Sequence, residues 1–462
     1  MIPPRLEPLL APDSPTVELS RLFADAGHNL YLVGGTVRDA LLDRSSPDLD
    51  FATAARPDEI KSIVGSWAHD LYLVGETYGT IGAVHDGAIY EITTFRSEVY
   101  RSESRKPKVS FSDTIEEDLS RRDFTVNAMA LALPTDATEP YIVDPHGGLV
   151  DLAAKTLRTP SSPEVSFGDD PLRMLRLYRF VSTIGFAADP STVAGVEKMA
   201  DRLAIVSIER VRAEFDKLIV GEHVGAALDG LVRSRLADVF LPELTALALE
   251  QDPVHRHKDV LAHSIAVVEK TSPDLVLRLA ALFHDVGKPQ TREFGKHGVS
   301  FHHHEVVGAR LARRRMNEMK YPKRIIRDVS QLVFLHMRPH TFKMGWTDSA
   351  VRRYVRDAGE LLDSLNELVR CDVTTRNEKL AASISRRIDE MEARITALRE
   401  REALDAIRPP IDGRDVMEHL GLEPGPEVGE AMKMLLERRL DDGPYSKEEA
   451  LAMLDEWSSN RG

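Results

Sequence analysis

The stretch LSRLFADAGHNLYLVGGTVRDALL at 19–42 changes its hydrophobic period twice. An amphipathic helix gives way to the short strand LYLVG, and Gly34-Gly35 then turns the chain into a second helix. LDFAT, a second LYLVG, GTIGAV and AIYEITTF follow as short apolar or alternating strands. From about 168 to 250 the pattern is almost wholly helical. A chain that spends its strands early and its helices late reads as α+β. Between the two regimes, SEVYRSESRKPKVSFSDT at 97–114 has no period and reads as a mobile polar loop. Asp113 and Glu116 then have the spacing of a capping box opening a helix over TIEEDLSRRDFTVNAMALAL.

At 462 residues the chain needs more than one core. No apolar run approaches the roughly 18 residues of a membrane helix, and the N-terminus lacks the pattern of a secretion signal. The single cysteine, Cys371, excludes an intrachain disulfide and fits a reducing compartment, so a cytoplasmic location is expected. Sixty basic against seventy-four acidic residues give a formal charge of −14. Taken alone, that opposes non-specific attraction to nucleic acid, although local segregation of charge decides the field in a groove.

Alternate strand residues share a face, so Asp48 and Asp50 point one way while Leu49 and Phe51 point the other. Two neighbouring carboxylates repel unless a cation lies between them, and oxygen ligands with phosphate partners suit Mg²⁺. Gly34 and Gly35 allow close backbone approach, and Arg38 lies one turn along the helix that follows. Asp39 either holds Arg38 or adds to the helix-end field. These parts describe metal-assisted attack on the α-phosphate of a nucleoside triphosphate. A solvated strand edge would use the same aspartates. Glu91 in YEITTF is either a third carboxylate or an ordinary strand-face group. Arg121, Arg122 and Asp123 stand on the expected helix, with Asn127 as a buried amide or a sugar contact. In DDPLRMLRLYRF at 169–180, Asp170 and Arg173 share a helical side, and Arg176 and Arg179 form a second ladder. An aspartate and an arginine together match the hydrogen-bonding edge of a base.

The segments LVGGTVRDALLDRSSPDLDFAT, YEITTFR, RRDFTVNAMA, DPHGG and DDPLRMLRLYRF, in this order, resemble the class II tRNA nucleotidyltransferases, the family of CCA-adding enzymes and bacterial poly(A) polymerases. The resemblance implies a small nucleotidyltransferase head with a mixed β-sheet at 15–155. A helical neck binding RNA and nucleotide would follow at 156–255, then a helical body and a tail at 377–462 that contacts tRNA. It implies Mg²⁺ at Asp48 and Asp50, with Gly34, Gly35 and Arg38 around the triphosphate of CTP or ATP. Arg121, Arg122 and Asp123 would position nucleotide, and Asp169, Asp170 and Arg173 would read the base. Asp169 stands where the family has glutamate, one methylene longer. The loop at 97–112 sits where the family has a flexible element needed to switch from C to A. Addition of CCA to tRNA 3′ ends is the expected function; addition of A alone and poly(A) synthesis are the neighbouring alternatives.

A second pattern, HKDVLAHS, ALFHDVGKP, FHHHEVVGARLA, VFLHMRPH and CDVT, resembles the HD phosphohydrolase superfamily over about 258–375, within an expected domain at 256–376. His263, His284, Asp285 and Asp372 match its core ligands, and His304 and His336 match the extra histidines of binuclear members. His302 and His303 adjoin His304 and leave that ligand open by one register. Imidazoles with carboxylates suit a transition metal (Mn, Ni, Co, Fe or Zn) better than Mg²⁺. A phosphohydrolase acting on RNA ends or nucleotides, or a helical scaffold that only contacts RNA, are the functions this pattern allows. The sequence leaves oligomeric state open.

Overall fold

The computed structural model describes Ile2 and residues 4–44, 49–99, 108–249, 259–296, 298–339, 346–373, 378–402 and 407–460. It divides into two compact units, Met1–Pro242 and Glu243–Gly462. The first runs α1 (Pro15–Asp25), β1 (Leu30–Val33), α2 (Gly35–Leu41), β2 (Leu49–Thr53), α3 (Pro57–Val64), β3 (Asp70–Tyr72), β4 (Thr80–His85) and β5 (Ala88–Thr94). Then come β6 (Arg96–Val99), β7 (Lys108–Phe111), α4 (Ile115–Ser120), β8 (Ala130–Ala132) and β9 (Tyr141–Val143). Helices follow: α5 (Gly148–Ala153), α6 (Pro163–Asp169), α7 (Leu172–Ile184), α8 (Pro190–Met199) and α9 (Ile208–Ile219).

Seven strands form one sheet in the order β3-β4-β5-β2-β1-β8-β9. β2 and β5 pair in parallel and their neighbours pair antiparallel, so the sheet is mixed. β1 sits near its middle and is buried on both faces, which is why LYLV is apolar throughout rather than alternating. Tyr31, Val33 and Ala52 pack with Phe95, Ile115 and Leu119 on one side. Both the α+β class and the mixed sheet expected from the sequence are present.

Three local expectations are corrected. RRDFTVNAMA is not helical: α4 stops at Ser120, a single 3₁₀ turn spans Thr125–Asn127, and the chain enters β8. Residues 123–130 are all buried, so the segment has no exposed helical face, and the Thr125 amide donates to the Arg158 carbonyl at 2.8 Å. Asp113 is not a cap; Thr114 holds that position without a side-chain bond, and Asp113 pairs with Arg56 at 2.7 Å. The polar segment at 97–114 is partly ordered, because β6 and β7 pair antiparallel from Arg96↔Phe111 to Val99↔Lys108. Its central residues, 100–107, lie outside the described ones.

Among its described residues the second unit is built from helices, apart from the small hairpin Arg292–Gly295 and Gly298–Phe301. Val260–Lys270, Leu275–Phe283, His304–Glu318, Lys323–Leu335 and Leu362–Cys371 pack around an apolar interior. A long charged helix spans Glu378–Glu402. No described helix is long and apolar enough to cross a membrane.

Candidate active site and candidate metal centre

Gly34 ends β1 at φ +69° and ψ −132°, backbone that a side chain does not readily adopt. A Cβ placed there would lie 2.8 Å from Nη1 of Arg122 and 3.9 Å from Oδ2 of Asp50. The glycine therefore clears a space that a guanidinium and a carboxylate approach from opposite elements. The Asp50 amide donates to the Thr36 hydroxyl at 3.2 Å, tying β2 to the first turn of α2. Asp50 is in register with Glu91 across the parallel β2–β5 ladder, so the two carboxylates share a sheet face. Asp48 lies outside the described residues.

This space opens into a cleft of about 550 Å³ within the first unit. Its walls include Gly34, Gly35, Arg38 and Asp50 from the sheet side, and Arg121, Arg122, Asp123 and Asn127 from the segment after α4. Asp170, Arg173, Arg176 and Arg179 come from α7 and the turn before it. Asp169, the last residue of α6, is not part of the lining. Residues that sequence reasoning missed are Phe180 on α7 and Arg210 and Glu214 on α9. Seven arginines against four carboxylates line the cleft, a basic recess in an acidic chain.

Most of these side chains are fixed by one another. Arg38 donates through Nε and Nη2 to Asp39 and through Nη1 to Oδ1 of Asn127, at 2.6 Å. The amide of Asn127 donates to Oδ1 of Asp123 at 2.9 Å, and Oδ2 of Asp123 accepts from Nε of Arg176 at 2.9 Å. Arg176 continues to Glu214 at 3.3 Å, and Glu214 meets Arg179 at 3.2 Å. Burial opposes the charge on Asp123, but Arg176 and the Asn127 amide outweigh it and hold this carboxyl well below its ordinary range. Burial, together with the adjacent Arg176, lowers Arg179 to about 10, still cationic at neutral pH. The ring of Phe180 lies under Arg179 at 4.1 Å and Arg38 at 5.1 Å.

Asp118, 1% exposed, receives both Arg121 and Arg122. Burial opposes its charge, and the two guanidinium groups hold its carboxyl below the ordinary value. Asp170 and Arg173 do not pair with each other as a helical ladder. Asp170 precedes α7, accepts the Leu172 amide, and pairs with Arg210 at 2.9 Å. Arg173 is buried against the Ser166 hydroxyl at 3.1 Å and the carbonyl of Arg121.

In the second unit, six residues named from sequence come together. His263 lies on the helix Val260–Lys270, while His284 and Asp285 follow the end of Leu275–Phe283 rather than lying within it. Nε2 of His263 is 2.9 Å from Asp372 and 3.4 Å from Asp285, and Nε2 of His284 is 3.3 Å from Asp285. Nε2 of His304 is 3.4 Å from the other oxygen of Asp285. The register at 302–304 is settled by burial: His304 is buried, His302 and His303 are exposed. Nδ1 of His284, His304 and His336 each lies 2.6–2.8 Å from a backbone carbonyl. A carbonyl only accepts, so each ring protonates Nδ1 and turns Nε2 toward the cluster, as metal-binding histidines do. Nε2 of both His304 and His336 is buried without a hydrogen-bond partner. Burial, with the adjoining His284, depresses His336 to about 3, leaving a neutral imidazole. Burial also disfavours charge on His284, but Asp285 and Asp372 prevail and raise it to about 10; a bound cation would compete with that proton. The donor set fits a transition-metal ion.

Residues 30–158 match the family model of the poly(A) polymerase head domain, 185–247 that of a probable RNA- and SrmB-binding site of polymerase A, and 260–398 that of the HD domain. Over 444 residues the chain is 33% identical to an A-adding tRNA nucleotidyltransferase of Deinococcus radiodurans, covering 92% of this chain and 95% of that protein. It is 40% identical over 217 residues to the CCA-adding enzyme of Bacillus subtilis, a match that covers 47% of this chain and 52% of that enzyme. Among solved structures, the Bacillus stearothermophilus CCA-adding enzyme in complex with CTP shares the fold at a TM-score of 0.71, with 24% identity and coverage of 100% of this chain and 99% of that one.

Proposed function

The chain belongs to the CCA-adding enzyme and poly(A) polymerase family, and from that premise we propose that its head cleft adds CMP and AMP, from CTP and ATP, to tRNA 3′ ends without a nucleic-acid template. The observation that carries this reading is the single cleft in which the Gly34-Gly35 turn, the Asp50 carboxylate and seven arginines converge. A triphosphate supplies the negative charge that such a recess lacks.

The terminal ribose hydroxyl attacks the α-phosphorus, the bond to the bridging oxygen breaks, and pyrophosphate leaves. Asp50, with Glu91 beside it and Asp48 from the same strand sequence, would hold Mg²⁺, which lowers the charge barrier to attack and to departure. Gly34 admits the phosphates close to the backbone, and Nη1 of Arg122 borders the same space. Arg38 acts by orientation: its nitrogens are committed to Asp39 and Asn127, so it braces the turn instead of reaching freely for an anion. Asp170 and Arg173 border the cleft where the base would lie, as the family resemblance implies. Asp169 lies outside the lining, at the end of α6 and next to Asp170.

Incorporation measured separately from CTP and ATP, on tRNAs lacking the last one, two or three nucleotides, tests the reading. A CCA-adding protein extends all three; an A-adding protein extends only the tRNA lacking one nucleotide, and only from ATP. Repeated AMP addition identifies poly(A) synthesis. Failure on every end with Mg²⁺ present overturns the proposal.

A second activity is favoured by the orphaned Nε2 atoms of His304 and His336. We read the cluster of His263, His284, Asp285, His304, His336 and Asp372 as a transition-metal centre that hydrolyses phosphoesters at RNA ends or in nucleotides. Metal content after purification, and hydrolysis of 2′,3′-cyclic nucleotides, test it. The single half-buried cysteine accords with a cytoplasmic location.

A further inference from the structure

We infer that His69, His85 and Asp86 form a separate surface site for a borderline divalent transition metal such as Zn²⁺, Cu²⁺, Ni²⁺ or Co²⁺. These residues belong to neither site described above. One ligand atom from each lies within 4.8 Å of the other two. They sit at the β3–β4–β5 end of the sheet, where the His69 amide donates to the Val84 carbonyl at 2.8 Å, bringing His69 across from His85. The β4–β5 connection is the pair Asp86-Gly87, at φ +48° and +78°, a tight turn that sets the Asp86 carboxylate directly after His85.

The geometry of His85 is what separates this cluster from an ordinary exposed histidine pair. Its ring stacks on Trp67 with centroids 4.0 Å apart and an interplanar angle of 7°. Its Nδ1 lies 2.8 Å from the Trp67 carbonyl, which can only accept, so Nδ1 carries the proton and Nε2 presents its lone pair. That backbone bond is the outer contact by which proteins fix a metal-binding imidazole. Nε2 stands 3.6 Å from Oδ2 of Asp86. Two ligands on a tetrahedral ion with bonds of about 2.0 Å are separated by about 3.3 Å, so closure needs only a small side-chain adjustment. The ring of His69 stacks over the same imidazole at 5.3 Å and 15°. The His69 side chain makes no hydrogen bond among the described residues, and both His69 and Asp86 are exposed, leaving remaining coordination positions to water. Two imidazoles and one carboxylate select borderline transition metals over Mg²⁺.

Trp67 makes the site observable. The chain has three tryptophans, Trp67, Trp346 and Trp457, so Trp346→Phe with Trp457→Phe leaves Trp67 as the sole reporter. In buffer containing excess Mg²⁺, Co²⁺ is expected to quench this fluorescence saturably at one ion per chain, with reversal by Zn²⁺. His69→Ala, His69→Gln and Asp86→Asn should each raise the midpoint about tenfold or more. His336→Ala should leave it unchanged, which separates the response from the buried histidine centre. Non-saturating quenching, or an unshifted midpoint in both His69 variants, overturns the proposal. Far-ultraviolet circular dichroism of these exposed-site variants verifies that each midpoint belongs to folded protein.

Discussion

Nη1 of Arg38 and Oδ1 of Asn127 lie 2.6 Å apart, joining the first turn of α2 to the strand-entry segment before β8. From Asn127 the connection passes through Asp123 to Arg176 on α7 and Glu214 on α9. The turn proposed to hold the triphosphate and the helix proposed to read the base are thus held by one hydrogen-bonded chain.

Asn127→Ala removes the central link and leaves Arg38 and Asp123 each short of a partner. A loss of about 1–3 kcal/mol in unfolding free energy by urea titration is expected, the cost of a buried unsatisfied polar group. Nucleotide incorporation should fall at least about tenfold, mostly in kcat, because the cleft loses its alignment rather than its charge. Wild-type kcat in this variant would show that the link is dispensable.

Asp50→Asn keeps the shape of a half-buried strand residue and removes its charge. Incorporation should drop by about 100-fold or more while the urea midpoint stays near that of the parent protein. Near-normal turnover would remove Asp50 from the metal-holding role.

Gly34→Ala places a methyl group 2.8 Å from Nη1 of Arg122 and forces a side chain into backbone at φ +69° and ψ −132°. About 1–3 kcal/mol of strain is expected. The KM for nucleoside triphosphate should rise, since the new methyl group occupies space the phosphates require. An unchanged KM would count against phosphate binding at this turn.

Acid stability follows from the sign of the Asp118 and Asp123 shifts. Both folded-state carboxyls are held below their ordinary range, so their stabilisation is fully present above the unfolded value of about 3.9 and is lost as pH falls through the folded values. Urea midpoints of the full chain should decline from pH 5 toward pH 2. Asp123→Asn should lower the plateau, because Arg176 loses its partner, and should flatten the decline. An equally steep decline in the variant would assign the acid sensitivity elsewhere.

Asp285 contacts His263, His284 and His304 at 3.3–3.4 Å, and Asp285→Ala should abolish transition-metal retention by the second unit, read by elemental analysis after dialysis against Mg²⁺. Chelation of the parent protein should lower its thermal midpoint, since an ion bound only by the folded state stabilises it. Nucleotide addition with Mg²⁺ should persist in Asp285→Ala.

The strands and the Gly34 turn were legible because period-two hydrophobicity and glycine punctuation are local signals. RRDFTVNAMA misled because its arginines and aspartate fit helical rows, while what decided it was non-local: residues 123–130 are buried throughout, and the Thr125 amide is taken by the carbonyl of Arg158. Arg210 and Glu214 were missed because their partners, Asp170 and Arg176, lie 40 and 38 residues away. Their four-residue spacing on one helix face was the available clue. The histidine cluster was readable as a set because imidazoles and carboxylates at such motifs carry chemistry in their identity. Which of His302, His303 and His304 turns inward depended on the helix start, which only the fold supplies.

Among the described residues, every basic side chain lining the head cleft is an arginine. Guanidinium groups keep their proton across the whole range in which such a protein works, and Arg179, which burial lowers to about 10, stays cationic there too. The positive charge that these side chains bring to the cleft is therefore constant from mildly acidic to mildly alkaline solution. A slope in the rate of the proposed transfer over that interval would report the attacking hydroxyl or the titration of substrate, and not a change in charge of the arginines.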